Sequence, residues 1–340
     1  MSSRLVKPGI IMLCAFLLFV IGACGSATGE DFDQSLEALR AAALADIDAG
    51  TENINLTESV GTDKSDVRGT LNFFAMQICL LAVVLILHTY TGLHIIRRGI
   101  IFSDLVLDQL AAFGIVAGAA LGIKYGTPLS YLSAFLATLA GCVMLALIKP
   151  RNRFIPREAI IGIMYGMALV ACLLLADKLP TGETDMKNTL EGSMSWTSWS
   201  LVGVTAGVYI VLLIFHYIFR KKMIRFTDSK ADSEGRRLWD FLFFLSQGII
   251  TILIVPVAGV LLAYGFLMIP AAIGVMFTRN WKYGLITGWA SGMTACVIGI
   301  FVSYQTDSPY GPNLMLAMGA FFLVALLIRG IIPLANGDRS

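Results

Sequence analysis

Asp104 and Asp108 stand four residues apart in the stretch RRGIIFSDLVLDQLAAFG (residues 97–114), with Gln109 beside them and little else that is polar beyond Ser103. Residues four apart share a helix face, so this spacing predicts two carboxylates one turn apart on one side of a helix. In apolar surroundings such a pair repels unless it shares a proton, holds a cation or sits in water, and acids within a membrane segment mark an ion path. Asp104 and Asp108 are therefore candidate metal ligands and, with Gln109, a candidate substrate pathway. The competing reading has Asp104 capping the helix start after Ser103 and staying at the interface, with Asp108 deeper.

Three other stretches carry polar chemistry. DKLPTGETDMKNTLEGSMSW (177–196) offers Glu183, Asp185 and Glu191, oxygen ligands that suit divalent cations weakly, or else it is an ordinary solvated loop. RKKMIRFTDSKADSEGRRLWD (220–240) is long and charged, and forms either a short helix docking on a soluble partner or a solvated connector. VPVAGVLLAYGFLMIPAAIGVMFTRNWKYGLITG (255–288) mixes small residues with Pro256 and Pro270. Small residues allow close helix approach and prolines free backbone carbonyls, as expected where helices break around a pathway, though plain packing uses the same residues.

The elements that must position these groups follow from composition. Of 340 residues, 57% are apolar and 14% charged, where a soluble domain carries roughly a quarter charged. Lipid is the solvent such a chain fits. A net charge of +2 is too small to suggest a nucleic-acid partner, and the basic residues fall in short clusters and form no continuous patch. The six cysteines lie in or beside apolar runs without a CxxC pair, which implies packing residues, with no disulfide framework and no zinc knuckle.

From residue 71, apolar segments recur at 71–96, 104–123, 128–148, 158–176, 199–219, 241–262, 265–278, 283–304 and 312–334. Separate long apolar runs satisfy their own backbone in hydrocarbon only as helices. The fold class is thus all-α, a polytopic transmembrane bundle of eight to nine spans occupying 71–335. The segment 265–278 is too short to cross fully alone and predicts a broken or re-entrant helix near Pro270 and Gly274. Residues 1–24 read as a signal peptide or anchor helix, with Ile21-Gly22-Ala23-Cys24 resembling a lipobox. Residues 25–70, with ten acidic against three basic residues, read as a solvated tail.

Lys and Arg give an independent check on topology. If every segment crosses, Arg97 and Arg98, the cluster from Lys149 to Arg157, the run from Arg220 to Arg237, and Arg279 with Lys282 all fall on one side. That predicts an extracytoplasmic N-terminal tail and a cytoplasmic C-terminus at 336–340, in a bacterial inner membrane. No GxxxxGK[ST] run is present to cradle nucleotide phosphates, nor an HExxH or GxSxG, and the histidines at 88, 94 and 216 are far apart in sequence. Neither an enzyme nor a bound cofactor is expected.

Together these stretches resemble the permease subunit of ABC importers for zinc, manganese or iron, of the ZnuB and TroC type. That family has an RR-x-x-x-x-x-D-x-x-x-H segment, in which Arg97, Arg98 and Asp104 match and Asp108 stands for the histidine. Its LVGxLLVxALLIIPAA segment is matched by PVAGVLLAYGFLMIPAA (256–272), and its LSYxLDxPxGP by VSYQTDSPYGP (302–312). The resemblance implies import by alternating access, with a second permease copy, a cytoplasmic ABC ATPase and an extracytoplasmic metal-binding protein as partners. It places ATPase coupling at Phe226, Asp228 and Asp232, in FTDSKAD, which keeps the phenylalanine and an acid of the family's FDPExA-like segment. Carboxylate in place of imidazole favours manganese or ferrous iron over zinc. A metal chelate as cargo and a secondary transporter driven by an ion gradient are the alternatives.

Overall fold

The computed structural model describes residues 64–124, 127–148, 155–192, 199–228 and 236–331. Their helices, in chain order, are α1 (Lys64–Arg98), α2 (Phe102–Ala120), α3 (Pro128–Leu147), α4 (Arg157–Ala176), α5 (Gly182–Glu191), α6 (Trp199–Asp228), α7 (Arg236–Phe277), α8 (Trp281–Thr306) and α9 (Tyr310–Ile331). Eight of these are long and apolar enough to cross a membrane. All but the polar, ten-residue α5 belong to that set.

Burial sorts the helices into layers. In α7 the most apolar window is 83% buried and in α2 72%, against 22% in α4 and α9, so α7 and α2 form the centre and the other membrane-crossing helices the lipid-facing wall. Helix α7 packs on α1, α2, α3, α5, α6, α8 and α9. Large apolar side chains such as Met167, Leu174, Ile218, Leu316 and Leu327 point outward from the wall. In water they would be a liability; in lipid they are the solvated surface.

The expected break lies elsewhere than the prolines. Pro256 and Pro270 both sit inside α7, and the residue with non-helical torsions is Gly259, at φ 78° and ψ 162°. There the chain folds back. Asp240 near the start of α7 and Val275 near its end line one cavity, while Gly259 meets Leu190, Glu191 and Gly192 at the opposite end. The segment anticipated as 265–278 is therefore the return arm 260–277, about 27 Å long at 1.5 Å per residue, close to the hydrocarbon thickness of about 30 Å. Only glycine tolerates this turn: a Cβ on Gly259 would lie 2.3 Å from the Leu190 carbonyl oxygen.

Two helix ends extend past the apolar segments. Helix α1 begins at Lys64, seven residues before the membrane span that starts at Leu71. Helix α6 continues past residue 219 to Asp228, so the basic half of the anticipated connector is a rigid extension of a membrane helix. The readings for residues 1–63, including Cys24, and for 336–340 lie outside the described residues.

Candidate functional site

Helix α2 lies alongside the first arm of α7, and the two present polar residues at matching intervals. The amide Nε2 of Gln247 donates to Asp104 Oδ1 at 2.6 Å, and the Thr251 hydroxyl donates to Asp108 Oδ1 at 2.8 Å. Both pairs are four residues apart on their own helices, so one turn of α2 is matched to one turn of α7. Asp104, Asp108, Gln109 and Gln247 are each 1% exposed. Gln109 lies against the Cys172 thiol.

Two features set this pair apart from a satisfied core network. Neither carboxylate is ion-paired with a Lys or Arg among the described residues. In addition, Asp108 Oδ2 and Gln247 Oε1 are buried with no hydrogen-bond partner. Buried oxygens without a protein donor, beside two carboxylates, need a proton, a cation or water to complete their surroundings. The capping alternative for Asp104 does not hold, since the α2 N-cap residue is Ile101 with no side-chain cap and Asp104 is bonded to Gln247. Ser103 Oγ instead donates to the Ile100 carbonyl at 2.7 Å.

The outer acids are not brought together. Glu183 and Glu191 sit on the same helix, α5, eight residues and about 12 Å apart along its axis; Glu183 is exposed. The Asp185 side chain lies outside the described residues. Helix α5 has a packing role, its C-terminal Gly192 fitting against the Ala258–Gly259 backbone of the α7 turn. Among the described residues no three His, Cys, Asp or Glu side chains assemble a metal shell.

At the far end of α6, Phe226 stacks on Trp239 with ring centroids 6.3 Å apart, and Asp228 lines a cavity shared with both ends of α7. Asp232 lies outside the described residues. Thr227 between them joins α6 to α1: it accepts from Arg98 Nε at 3.0 Å and stands 2.7 Å from His94 Nδ1.

Sequence reasoning missed several of these groups. Gln247 and Thr251 repeat the four-residue spacing of the aspartates within an apolar run, a signal that was there to be read. Arg98 and Asp240 form a buried ion pair at 3.0 Å, and only their membership in basic clusters at two helix ends hinted at it. His94 and His216, 122 positions apart in the chain, both pack edge-on against Tyr90, with centroids at 4.7 and 5.4 Å. Sequence separation concealed that neighbourhood entirely.

With this arrangement of helices and buried acids in hand, comparison with known proteins is decisive: residues 72–329 match the ABC 3 transport family. The chain belongs to this family. Similar proteins include the manganese import system permease protein ScaB of Streptococcus gordonii, 22% identical over 268 residues that span 77% of this chain and 94% of ScaB. Another is the chelated iron transport system membrane protein YfeD of Yersinia pestis, 23% identical and covering 68% of this chain and 78% of YfeD. Among solved structures, PsaBC from Streptococcus pneumoniae in complex with Fab superposes with a TM-score of 0.62 at 21% identity, covering 75% of this chain and 91% of that one. An inward-facing ABC transporter assigned to the metal-chelate type gives 0.58 at 15% identity, over 94% of this chain and 99% of that one. The fold is shared with these two structures, and the protein is a multi-pass membrane protein.

Proposed function

We propose that this chain is the membrane-spanning permease subunit of an ABC importer for a divalent metal ion, and that Asp104 and Asp108 bind the ion during its passage. The observation that carries this reading is the pair of fully buried carboxylates whose protein partners are neutral, with Asp108 Oδ2 and Gln247 Oε1 left as uncommitted oxygens. Oxygen-rich surroundings suit manganese and ferrous iron better than zinc. The names of ScaB and YfeD, a manganese permease and a chelated-iron membrane protein, point the same way.

A pair of carboxylates is too few ligands for a tight resident site. It suits a cargo ion that must leave again. The rest of the shell comes from water, from Gln247 and Thr251, or from a second copy of the permease, which the resemblance supplies. The sequence has no nucleotide-binding loop, so a separate cytoplasmic ATPase drives alternating access, engaging the connector at Phe226 and Asp228. An extracytoplasmic metal-binding protein delivers the ion at the end where α5 and the Gly259 turn meet. The arginine-rich end faces the cytoplasm of a bacterial inner membrane, following the charge bias of membrane loops.

Uptake of radioactive manganese or iron by cells carrying the Asp104→Asn and Asp108→Asn double variant tests the assignment. The expected result is loss of uptake with normal membrane insertion. Wild-type uptake in that variant removes the two residues from the path.

A further inference from the structure

The arginine-rich end of the bundle encloses a cavity of about 420 Å³, walled by the ends of α1, α4, α6 and both arms of α7. Five arginines line it, Arg97, Arg98, Arg157, Arg236 and Arg279, against two carboxylates, Asp228 and Asp240. Asp240 is shared between Arg98 at 3.0 Å and Arg236 at 3.8 Å. Among the described residues the lining thus holds three more arginines than carboxylates, with Arg236 engaged in a further interaction besides Asp240.

Two of these guanidinium groups are held in place by aromatic rings. Arg97 lies 4.0 Å over the Trp281 ring and donates to the Arg279 carbonyl at 2.6 Å, and Arg98 lies 4.4 Å over Phe243. The Arg98 side chain is 5% exposed, and among the described residues its second terminal nitrogen and the Nε of Arg157 have no hydrogen-bond partner, while Arg157 Nη2 donates to the Leu145 carbonyl at 2.7 Å. Like charges fixed side by side around one cavity repel, and a bound anion offsets that repulsion. Guanidinium forks match the oxygens of phosphate, and basic pockets between membrane helices take phospholipid headgroups.

The geometry points to a binding site for a phosphate-type oxyanion in this cavity, supplied by the headgroup of an anionic phospholipid or by inorganic phosphate. Its occupant ties the last turn of α6, which bears Asp228, to both ends of α7 and to α1. Charge in the surrounding lipid, or phosphate in solution, then sets how firmly the connector end of the permease is held. This inference stands apart from the metal assignment, because it uses none of the residues around Asp104 and Asp108.

The test uses the full-length chain in nanodiscs. One arm contains phosphatidylcholine with phosphatidylglycerol, and native mass spectrometry counts the phosphatidylglycerol retained per chain. The other contains phosphatidylcholine alone, with inorganic phosphate titrated and binding followed calorimetrically. Retention of one phosphatidylglycerol in the first arm identifies the lipid source; saturable binding of one phosphate in the second identifies the free anion. Either supports the site provided Arg279→Gln and Arg157→Gln weaken it by about tenfold, the loss of one charge-assisted contact. Arg279 and Lys282 are both exposed, so their variants keep the fold, and Lys282→Gln, outside the cavity, leaves binding unchanged. Binding of neither probe, or equal loss in Lys282→Gln, overturns the proposal. So does a cavity that binds an acidic peptide and neither phosphate nor phosphatidylglycerol.

Discussion

Thr251 on α7 donates its hydroxyl to Asp108 on α2 at 2.8 Å, deep within the bundle. This is the one hydrogen bond the Asp108 carboxylate makes among the described residues, since its second oxygen has none. Thr251→Val keeps the shape and removes the donor. A buried acceptor left without its partner costs about 1–3 kcal/mol. The expected result is an apparent KM for metal uptake raised by about tenfold at unchanged protein level, with Thr251→Ser restoring it. Uptake kinetics in Thr251→Val indistinguishable from wild type would show that the hydroxyl does not hold Asp108 for the ion.

Arg98 and Asp240 join α1 to α7 through a pair whose side chains are 5% and 9% exposed. Removing Asp240 strands the buried Arg98 charge, whereas removing Arg98 leaves Asp240 only its longer contact to Arg236 at 3.8 Å. Asp240→Ala should destabilise the folded protein by about 3–5 kcal/mol and Arg98→Ala by less, while the double replacement Arg98→Met with Asp240→Leu recovers most of the loss. Thermal unfolding in detergent reads this directly. A single variant as stable as wild type would mean that the pair contributes nothing to holding the helices together.

Gly259 reverses the chain at φ 78°, with the α5 backbone within 3 Å of where a side chain would begin. Gly259→Ala forces a side chain into a backbone region essentially open to glycine alone, at about 1–3 kcal/mol, plus a clash with rigid backbone, so folded yield should fall sharply. Gly203→Ala is the control, because nothing lies within 4 Å of its added methyl. Size-exclusion profiles of the two variants should differ, the first aggregated and the second monodisperse.

The sequence was most legible where only length and hydropathy mattered. The membrane segments were readable because hydrocarbon demands internally bonded backbone, and the buried acids because a charge in an apolar run has few explanations. Local torsion was less legible. Pro256 and Pro270 drew attention as helix breakers, yet the surrounding bundle accommodates both, and the turn falls at Gly259, whose positive φ leaves no trace in periodicity. Tertiary partners were least legible of all. That Gln247 faces Asp104, or that His94 and His216 both touch Tyr90, depends on how distant helices are set side by side. The acids of 177–196 misled for a related reason: they are close in sequence, but a helix holds Glu183 and Glu191 two turns apart.

The central claim is that Asp104 and Asp108 receive a divalent ion with a preference set by carboxylate oxygen. Its most direct test is transport by the complete complex, permease with its ATPase and binding protein, reconstituted in proteoliposomes with manganese, ferrous iron and zinc in competition. The account predicts that manganese or iron is carried in preference to zinc, and that Asp104→Asn with Asp108→Asn abolishes transport while the complex still assembles. Preferred transport of zinc, or undiminished transport by the double variant, contradicts it.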